Sequence, residues 1–413
     1  MNVHILAVGS ELLTPFFQDT NSLYLTERLN DLGFEVAFKG LVGDETGPLS
    51  WAVERSLEAA DLVLVCGGLG PTGDDRTREV VASVLGRKLV LNDEILRGIE
   101  ERFRRRGKAM PAANRKQAFV IEGAEILPNR KGTAPGLRVT RGDKSIVLLP
   151  GPPFELKAMA EETVWPRLAV RRGGRLERVV LKTTGLTESE VETRIADLYP
   201  REPERRLTIL AAPGQIEIHL SARRTTVSET AGSALEPTFG EIRKRLGLHV
   251  FSDDGADLEE TVGRLLRDRR RTVAVAESCS GGLLSHRLTS VPGSSDYFLE
   301  GFITYGNRAK IERLGVPESV LRLRGAVSAE TAVAMADGAR RTAGADYGLA
   351  LTGIAGPGGG TPEKPVGLVY AALSGGGGTQ AVENRFLGPR DRVKFQSSQK
   401  ALDMLRRRLL EEG

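Results

Sequence analysis

Asp61–Val81 reads DLVLVCGGLGPTGDDRTREVV. An apolar run ends in a cluster of glycines, the chain turns at Pro71-Thr72, and two aspartates precede a helical stretch. This is a strand, a glycine turn and a helix in succession. The same alternation extends outward. VHILAVG reads as a strand, NSLYLTERLNDLG as a helix ending at a glycine, EVAFKGLVG as a strand and PLSWAVERSLEAA as a helix. Strand–helix–strand repetition with short connections predicts an α/β domain with a mainly parallel sheet, helices covering both faces.

The texture changes twice. Charged strands such as ERVVLKTTG and QIEIHLSARR surround the helical TESEVETRIADLY, which predicts a small α+β module. From Val250 the alternation returns with TVAVAE, GFITYG, YGLALTG and VGLVYAALSG. A chain of 413 residues has room for two to three domains. The joins are placed at 170/171 and 249/250, giving domains 1–170, 171–249 and 250–413.

Composition excludes more than it assigns. With 58 basic and 54 acidic side chains the net charge is only +4, and aromatic residues make up 5%. No interleaved basic and aromatic surface is visible, so a nucleic-acid partner is not expected. The basic runs RFRRRGK (Arg102–Lys108) and RDRRR (Arg267–Arg271) read as solvated helix faces. The opening MNVHILAVGSELL carries no signal or membrane pattern, and two cysteines, Cys66 and Cys279, build no disulfide framework. A cytoplasmic protein is expected.

Ligands of doubly wound sheets sit beyond the carboxyl ends of the strands. In the first domain those ends deliver Gly9, Ser10 and Glu11, then Gly67, Gly68 and Gly70, whose N–H groups can line a phosphate or pyrophosphate. One of Asp74 and Asp75 is expected to cap the next helix. Carboxylate plus phosphate oxygens is also how Mg²⁺-type ions are held, so at least one of the pair is a candidate metal or substrate contact. Two further glycine and proline loops, PNRKGTAPGL (Pro128–Leu137) and LLPGPPFEL (Leu148–Leu156), suggest a shared rim.

In the third domain AVAESCSGGLL (Ala274–Leu284) stops a strand at Glu277 and opens a helix with Gly281 and Gly282. An amide hydrolase without metal needs a nucleophile, a base and oxyanion donors. Ser278 is the candidate nucleophile. Of the four histidines, His4, His219, His249 and His286, only the last lies in this motif. It is displaced from Ser278 by about 12 Å along a helix, beyond hydrogen-bond reach. The remaining base is a lysine. GFITYGNRAK places Tyr305 at a strand end and Lys310 in the following helix. If the two strands are neighbours, about 4.8 Å apart, Ser278 and Lys310 converge. Burial lowers the lysine pKa toward what a base requires, and Tyr305 could relay or orient the proton. The N–H groups of Cys279, Ser280 and Gly281 are candidate oxyanion donors at a helix start. LTGIAGPGGG delivers Thr352 and Gly353 for a nucleotide phosphate or ribose, with Arg392 as a charged partner. PGSS (Pro292–Ser295) is a turn or part of a pocket wall. Taken alone, Ser278 also reads as an N-cap, Lys310 as a surface residue and Cys279 as packing.

The motifs GSELL, DTNS, VGD, GGLGPTGDDRTREVV, GTAPG and LPGPP, followed by AESCSGG, GFITYGNRAK, GAVSAETAVAMADGAR and LTGIAGPGGGTPEKPVGLVY, resemble the CinA family of competence/damage-inducible proteins along the whole chain. The resemblance implies a molybdopterin-binding-like first domain acting as a metal-dependent (Mg, Mn or Co) ADP-ribose pyrophosphatase. It further implies a KH-like middle module, a C-terminal nicotinamide mononucleotide deamidase without cofactor, and a homodimer. Carried onto this chain, it implies nucleotide contacts at Gly9, Glu11, Asn21, Asp44, Gly67, Gly68, Gly70, Pro71, Thr72, Asp75, Gly132, Thr133, Pro135 and Gly136, with metal at Asp74 and Asp75. In the C-terminal domain it implies substrate contacts at Glu277, Cys279, Ser280, Gly281, Gly282, Thr352, Gly353 and Arg392, around catalytic Ser278, Lys310 and Tyr305. Thr14-Pro15 stands where many relatives have a glycine, and Ser280 where a threonine is commoner. A first domain that binds pterin or nucleotide without hydrolysis, and a role in DNA uptake or repair, are the other readings.

Overall fold

A computed structural model describes residues 1–170, 175–202, 205–224 and 235–412. The join expected at 170/171 borders residues outside that set. Two compact units form, one on Met1–Glu177 and one on Arg178–Ala222 together with the chain from Leu235 to Glu412.

The first unit runs β1 (Val3–Val8), α1 (Asn21–Asp31), β2 (Val36–Val42), α2 (Thr46–Ala59), β3 (Leu62–Cys66), α3 (Thr77–Val84), β4 (Leu89–Leu91), α4 (Asp93–Arg104), β5 (Phe119–Ile121), β6 (Glu125–Leu127), β7 (Gly136–Arg141), β8 (Lys144–Leu149), α5 (Pro153–Met159) and α6 (Trp165–Ala169). Its main sheet has the order β2-β1-β3-β8-β7-β6, with the first four strands parallel and the last two antiparallel. Side chains alternate along β1. Val3, Ile5 and Ala7 pack with α1 and α5, whereas Leu6 and Val8 pack with α2 and α3. Both faces are covered, which is why β1 and β3 are apolar at nearly every position. The ends of β1, β2, β3 and β8 therefore open onto one edge.

The second unit begins with β9 (Arg175–Thr183), α7 (Glu188–Ile195), β10 (Arg205–Ala212), β11 (Gln215–Arg224), α8 (Glu236–Leu246) and β12 (Val250–Ser252), whose strands form one sheet in the order β10-β11-β9-β12. It continues with α9 (Leu258–Asp268), β13 (Val273–Glu277), α10 (Leu283–Thr289), β14 (Phe298–Ile303), α11 (Asn307–Leu314), α12 (Glu318–Arg324), α13 (Ala329–Ala343), β15 (Tyr347–Gly353), β16 (Leu368–Gly375), β17 (Gly378–Arg385) and α14 (Arg390–Glu411). The second sheet has the order β14-β13-β15-β16-β17. Strands β14, β13 and β15 are parallel, and β16–β17 is an antiparallel edge.

Strand β13 explains how α13 comes so close. Ala274 and Ala276 face Ala332, Met335, Ala336 and Ala339. A methyl group on Gly348 of the neighbouring strand would lie 2.1 Å from the Ala336 carbonyl oxygen, so only glycine fits there. The opposite face, with Val273 and Val275, packs beneath α9 and α14. No helix among the described residues is long and apolar enough to cross a membrane.

Candidate active site

Strand β13 ends in a carboxylate because the helix behind it needs one. Glu277 is fully buried, and its two oxygens accept from the N–H groups of Gly282 (3.0 Å), Leu284 (3.0 Å) and Ser285 (2.8 Å) and from the Ser285 hydroxyl (2.7 Å). This corrects the substrate role expected of Glu277. The carboxylate caps α10 from below and is fully occupied. It also takes the positive end of α10 away from any oxyanion. The turn it anchors requires glycines, with φ of 61° at Gly281 and 99° at Gly282. Within that turn the N–H groups of Cys279 and Ser280 turn toward the Cys279 sulfur, a weak acceptor, and that of Gly281 has no backbone acceptor among the described residues.

Ser278 leaves the strand edge with its N–H held by the Leu351 carbonyl. Parallel pairing of β13 with β14 aligns Glu277 with Ile303, so Thr304 and Tyr305 emerge beside Ser278. From α11, one turn further on, Lys310 reaches back. Its Nζ lies 3.0 Å from Ser278 Oγ, 2.7 Å from the Thr304 carbonyl oxygen and 3.1 Å from that of Tyr305. The lysine is 0% exposed and no carboxylate pairs with it among the described residues. Burial holds its pKa below 10.5, opposed only by the Cys279 thiol. A neutral amine has two N–H donors and one lone pair. Two carbonyls take the donors, and the lone pair is left for the Ser278 hydroxyl proton.

Tyr305 departs from expectation. Its phenol is 64% exposed and makes no hydrogen bond to the pair. What it gives the site is its carbonyl oxygen, so the relay expected of its hydroxyl is not built. Cys279 is buried, and burial pushes its thiol up to about 12. Such a thiol is a poor nucleophile near neutrality. The native protein should resist iodoacetamide at Cys279 and keep its activity after treatment, as intact-mass measurement and an assay would check.

Other expected contacts are committed elsewhere. The Thr352 hydroxyl donates to the Ala326 carbonyl at 2.7 Å, anchoring the loop before α13. A methyl group on Gly353 would lie 2.5 Å from the Leu368 carbonyl oxygen, so this glycine serves the pairing of β15 with β16. Arg392 is exposed at the start of α14 and joins no described partner. The cation missed by sequence reading is Lys394, two residues on. Its Nζ would be 3.9 Å from a side-chain carbon built on Gly281. Arg390 donates to the Gly356 carbonyl and holds the glycine-rich loop. His286 is exposed on α10 and takes no part.

The edge of the first unit is knitted by short polar contacts. Ser10 N–H donates to Asp44 and the Ser10 hydroxyl accepts from Asp44 N–H. Glu11 folds over Gly9, leaving 2.5 Å between its Oε1 and an added methyl. Asn21 donates to the Gly151 carbonyl at 2.7 Å, and Gly67 N–H to that of Leu149. At Gly67 a methyl would collide with the Val8 carbonyl oxygen at 2.0 Å, the two strands closing at a point where only glycine passes. Gly68 and Gly70 are crowded in the same way by Thr77 and Asp75.

Neither aspartate caps α3 as expected: its N-cap position is Arg76, with no side-chain cap bond, and Asp75 instead closes the turn before it. One Asp75 oxygen accepts from the Thr72 N–H (2.9 Å) and the Thr72 hydroxyl, locking the turn that begins at Pro71. Asp74 remains exposed. No group of three or more potential metal ligands gathers among the described residues. A resident metal cage is therefore not built here. The donor set fits only an ion that brings phosphate oxygens with it; the exposed Asp74 carboxylate, held below its usual range by bonds from Thr72 and from the Asp74 and Asp75 N–H groups, is the ligand it would meet. Gly132, Thr133 and Pro135 face α4 across a groove of about 440 Å³. Arg102, expected on a solvated face, instead donates to the carbonyls of Gly132, Asn129 and Arg130. Gly136 has a packing role: a methyl there would lie 2.5 Å from Met159 Sδ.

Residues 255–409 match the CinA C-terminal domain, 178–252 the damage-inducible protein CinA KH domain and 4–170 a molybdopterin binding domain. Over 410 residues, 99% of this chain and 98% of the other, the sequence is 48% identical to the CinA-like protein of Solibacter usitatus. The chain belongs to the CinA family. A CinA-like protein of Koribacter versatilis is 46% identical over 420 residues, 99% of this chain and all of that one. Among solved structures, the competence/damage inducible protein of Agrobacterium tumefaciens is 42% identical, covers 36% of this chain and 94% of its own, and superposes with a TM-score of 0.35. The CinA architecture thus includes both units and the KH module between the two larger domains.

Proposed function

We propose that the C-terminal domain is an amidohydrolase converting nicotinamide mononucleotide to nicotinate mononucleotide and ammonia. The observation that supports it is the buried lysine held by two carbonyls with its third direction on Ser278 Oγ. Ser278 Oγ attacks the carboxamide carbon while Lys310 takes its proton. The tetrahedral oxyanion is received by the N–H groups of Cys279, Ser280 and Gly281, for which it is a stronger acceptor than the Cys279 sulfur. Lys310 returns the proton to nitrogen, the C–N bond breaks and ammonia leaves. Water then attacks the acyl ester with Lys310 again as base, releasing the carboxylate and restoring Ser278. Lys394, beside Gly281, is the cation the substrate's phosphate would meet.

Only neutral Lys310 can accept the proton, and burial lowers its pKa. Activity should therefore rise with pH along a limb whose midpoint lies below 10.5, and fall as acid protonates the amine. Ammonia release from nicotinamide mononucleotide across a pH series checks both claims. A preparation that releases none at any pH refutes the assignment.

For the first unit we infer a site for a nucleotide diphosphate, ADP-ribose being the substrate the family resemblance implies. Its support is the single edge at which Gly9–Glu11, Asp44, Gly67–Asp75 and Gly151 meet. A divalent cation arriving with the diphosphate would meet Asp74 and supply charge neutralisation.

A further inference from the structure

Arg287, the fifth residue of α10, is a buried charge outside the reacting group. It is 5% exposed, and its guanidinium is shared between two other helices. On α9, the Glu259 oxygens accept from Nε at 3.3 Å and from Nη2 at 2.6 Å. On α14, Ser398 Oγ accepts from Nη1 at 2.8 Å and Gln399 Oε1 from Nη2 at 2.7 Å. The group also lies 4.5 Å from the centre of the Phe395 ring. The Ser398 hydroxyl is oriented by donating to the Phe395 carbonyl at 2.7 Å. Around this cluster, Leu284 and Leu288 of α10 and Val393 and Leu402 of α14 share one apolar core. Apolar contacts are non-directional and would let one helix slide on the other. A planar fork with acceptors on both partners does not. A buried ion pair is often no more stabilising than well-packed apolar residues, and its best-attested use is to fix a register.

The register matters because the two helices carry two halves of one site. Helix α10 starts at the Cys279–Gly282 turn behind Ser278, and α14 carries Lys394, next to Phe395 and one turn before Ser398. We propose that Arg287 is a positioning residue that fixes α14 against the nucleophile turn, and so holds Lys394 where the phosphate of a mononucleotide arrives when its carboxamide lies at Ser278. The proposal rests on the amidohydrolase reading of this domain and adds what selects a phosphorylated substrate. Ser278, Lys310 and the turn act on the carboxamide, which a nucleoside and its mononucleotide share. Only the cation on α14 tells them apart. A slip of α14 by one residue displaces Lys394 by about 1.5 Å. That is enough to break a hydrogen bond to a phosphate oxygen, while a ligand without phosphate would be indifferent to it.

The test is calorimetry on the full chain carrying Ser278→Ala, which should not turn the ligand over. The ligands are nicotinamide mononucleotide and the same nucleoside without phosphate. This parent should bind the mononucleotide more tightly. Arg287→Lys keeps a charge beside Glu259 and loses the fork. It should weaken mononucleotide binding by about tenfold, the lower end of what one hydrogen bond to a charged group contributes, and leave nucleoside binding unchanged. Ser398→Ala removes one acceptor and spares the ion pair. It should give the same selective loss at about threefold, and supplies the test should Arg287→Lys fail to fold. Lys394→Met should also weaken the mononucleotide alone, and adding Arg287→Lys to it should cost no more, since both act on one contact. A merely structural defect would weaken both ligands together. That result, an unchanged preference or additive losses overturns the proposal. So does a parent that binds the two ligands alike, or neither. Selective losses in a protein whose wild type releases no ammonia would instead sink the amidohydrolase reading and leave the positioning role standing.

Discussion

Ser278→Ala should abolish the proposed ammonia release from nicotinamide mononucleotide, and Lys310→Met should lower it by roughly 10⁴-fold, the upper range for loss of a general base. Methionine matches the length and burial of the lysine chain, so the 0% exposed pocket stays filled. What is lost is the lone pair aimed at Ser278 Oγ from 3.0 Å. Lys310→Arg should be equally inactive, because a guanidinium keeps its proton. Diphosphate binding by the first unit should be unaffected in all three variants. Ammonia release that survives Ser278→Ala would remove the nucleophile from the mechanism. Survival in Lys310→Met alone would assign the base elsewhere.

Glu277→Gln should be nearly as damaging without touching the reacting atoms. The carboxylate accepts four hydrogen bonds, two on each oxygen. An amide offers one oxygen, and its NH₂ would face two donors. Leaving those donors buried and unsatisfied costs about 3 kcal/mol. Amides of residues 282–286 should then exchange with deuterium on the order of 100-fold faster, since that cost converts to about two powers of ten in local opening. Turnover should drop with them, because the N–H groups of Cys279–Gly281 ride on the same turn. Unchanged exchange would show that the cap is not what fixes α10.

Much of this was legible in the chain. Strands β1, β3 and β13 are apolar at successive positions because both faces of each are covered, and that pattern announces a parallel sheet before any coordinate is known. Glycines at 67, 281 and 282 mark backbone with positive φ, which side chains rarely adopt. The meeting of Ser278 and Lys310 was also within reach, since it follows from adjacent parallel strands whose ends each carry a polar residue. Tyr305 and Glu277 were harder. Nothing in a residue's identity tells whether its carbonyl or its hydroxyl will be used, or whether a carboxylate at a strand end turns outward to ligand or inward to a helix.

The order of strand and helix types, the glycine turns and the nucleophile's place at a strand end are local matters, decided by side-chain size and polarity over a few neighbouring residues. Which cation meets which oxygen is not local. Lys116 and Thr72 stand 44 residues apart, and Lys310 and Ser278 stand 32 apart. Their pairing depends on how helices settle on the sheet, and so does the depressed pKa of a lysine that only packing can bury.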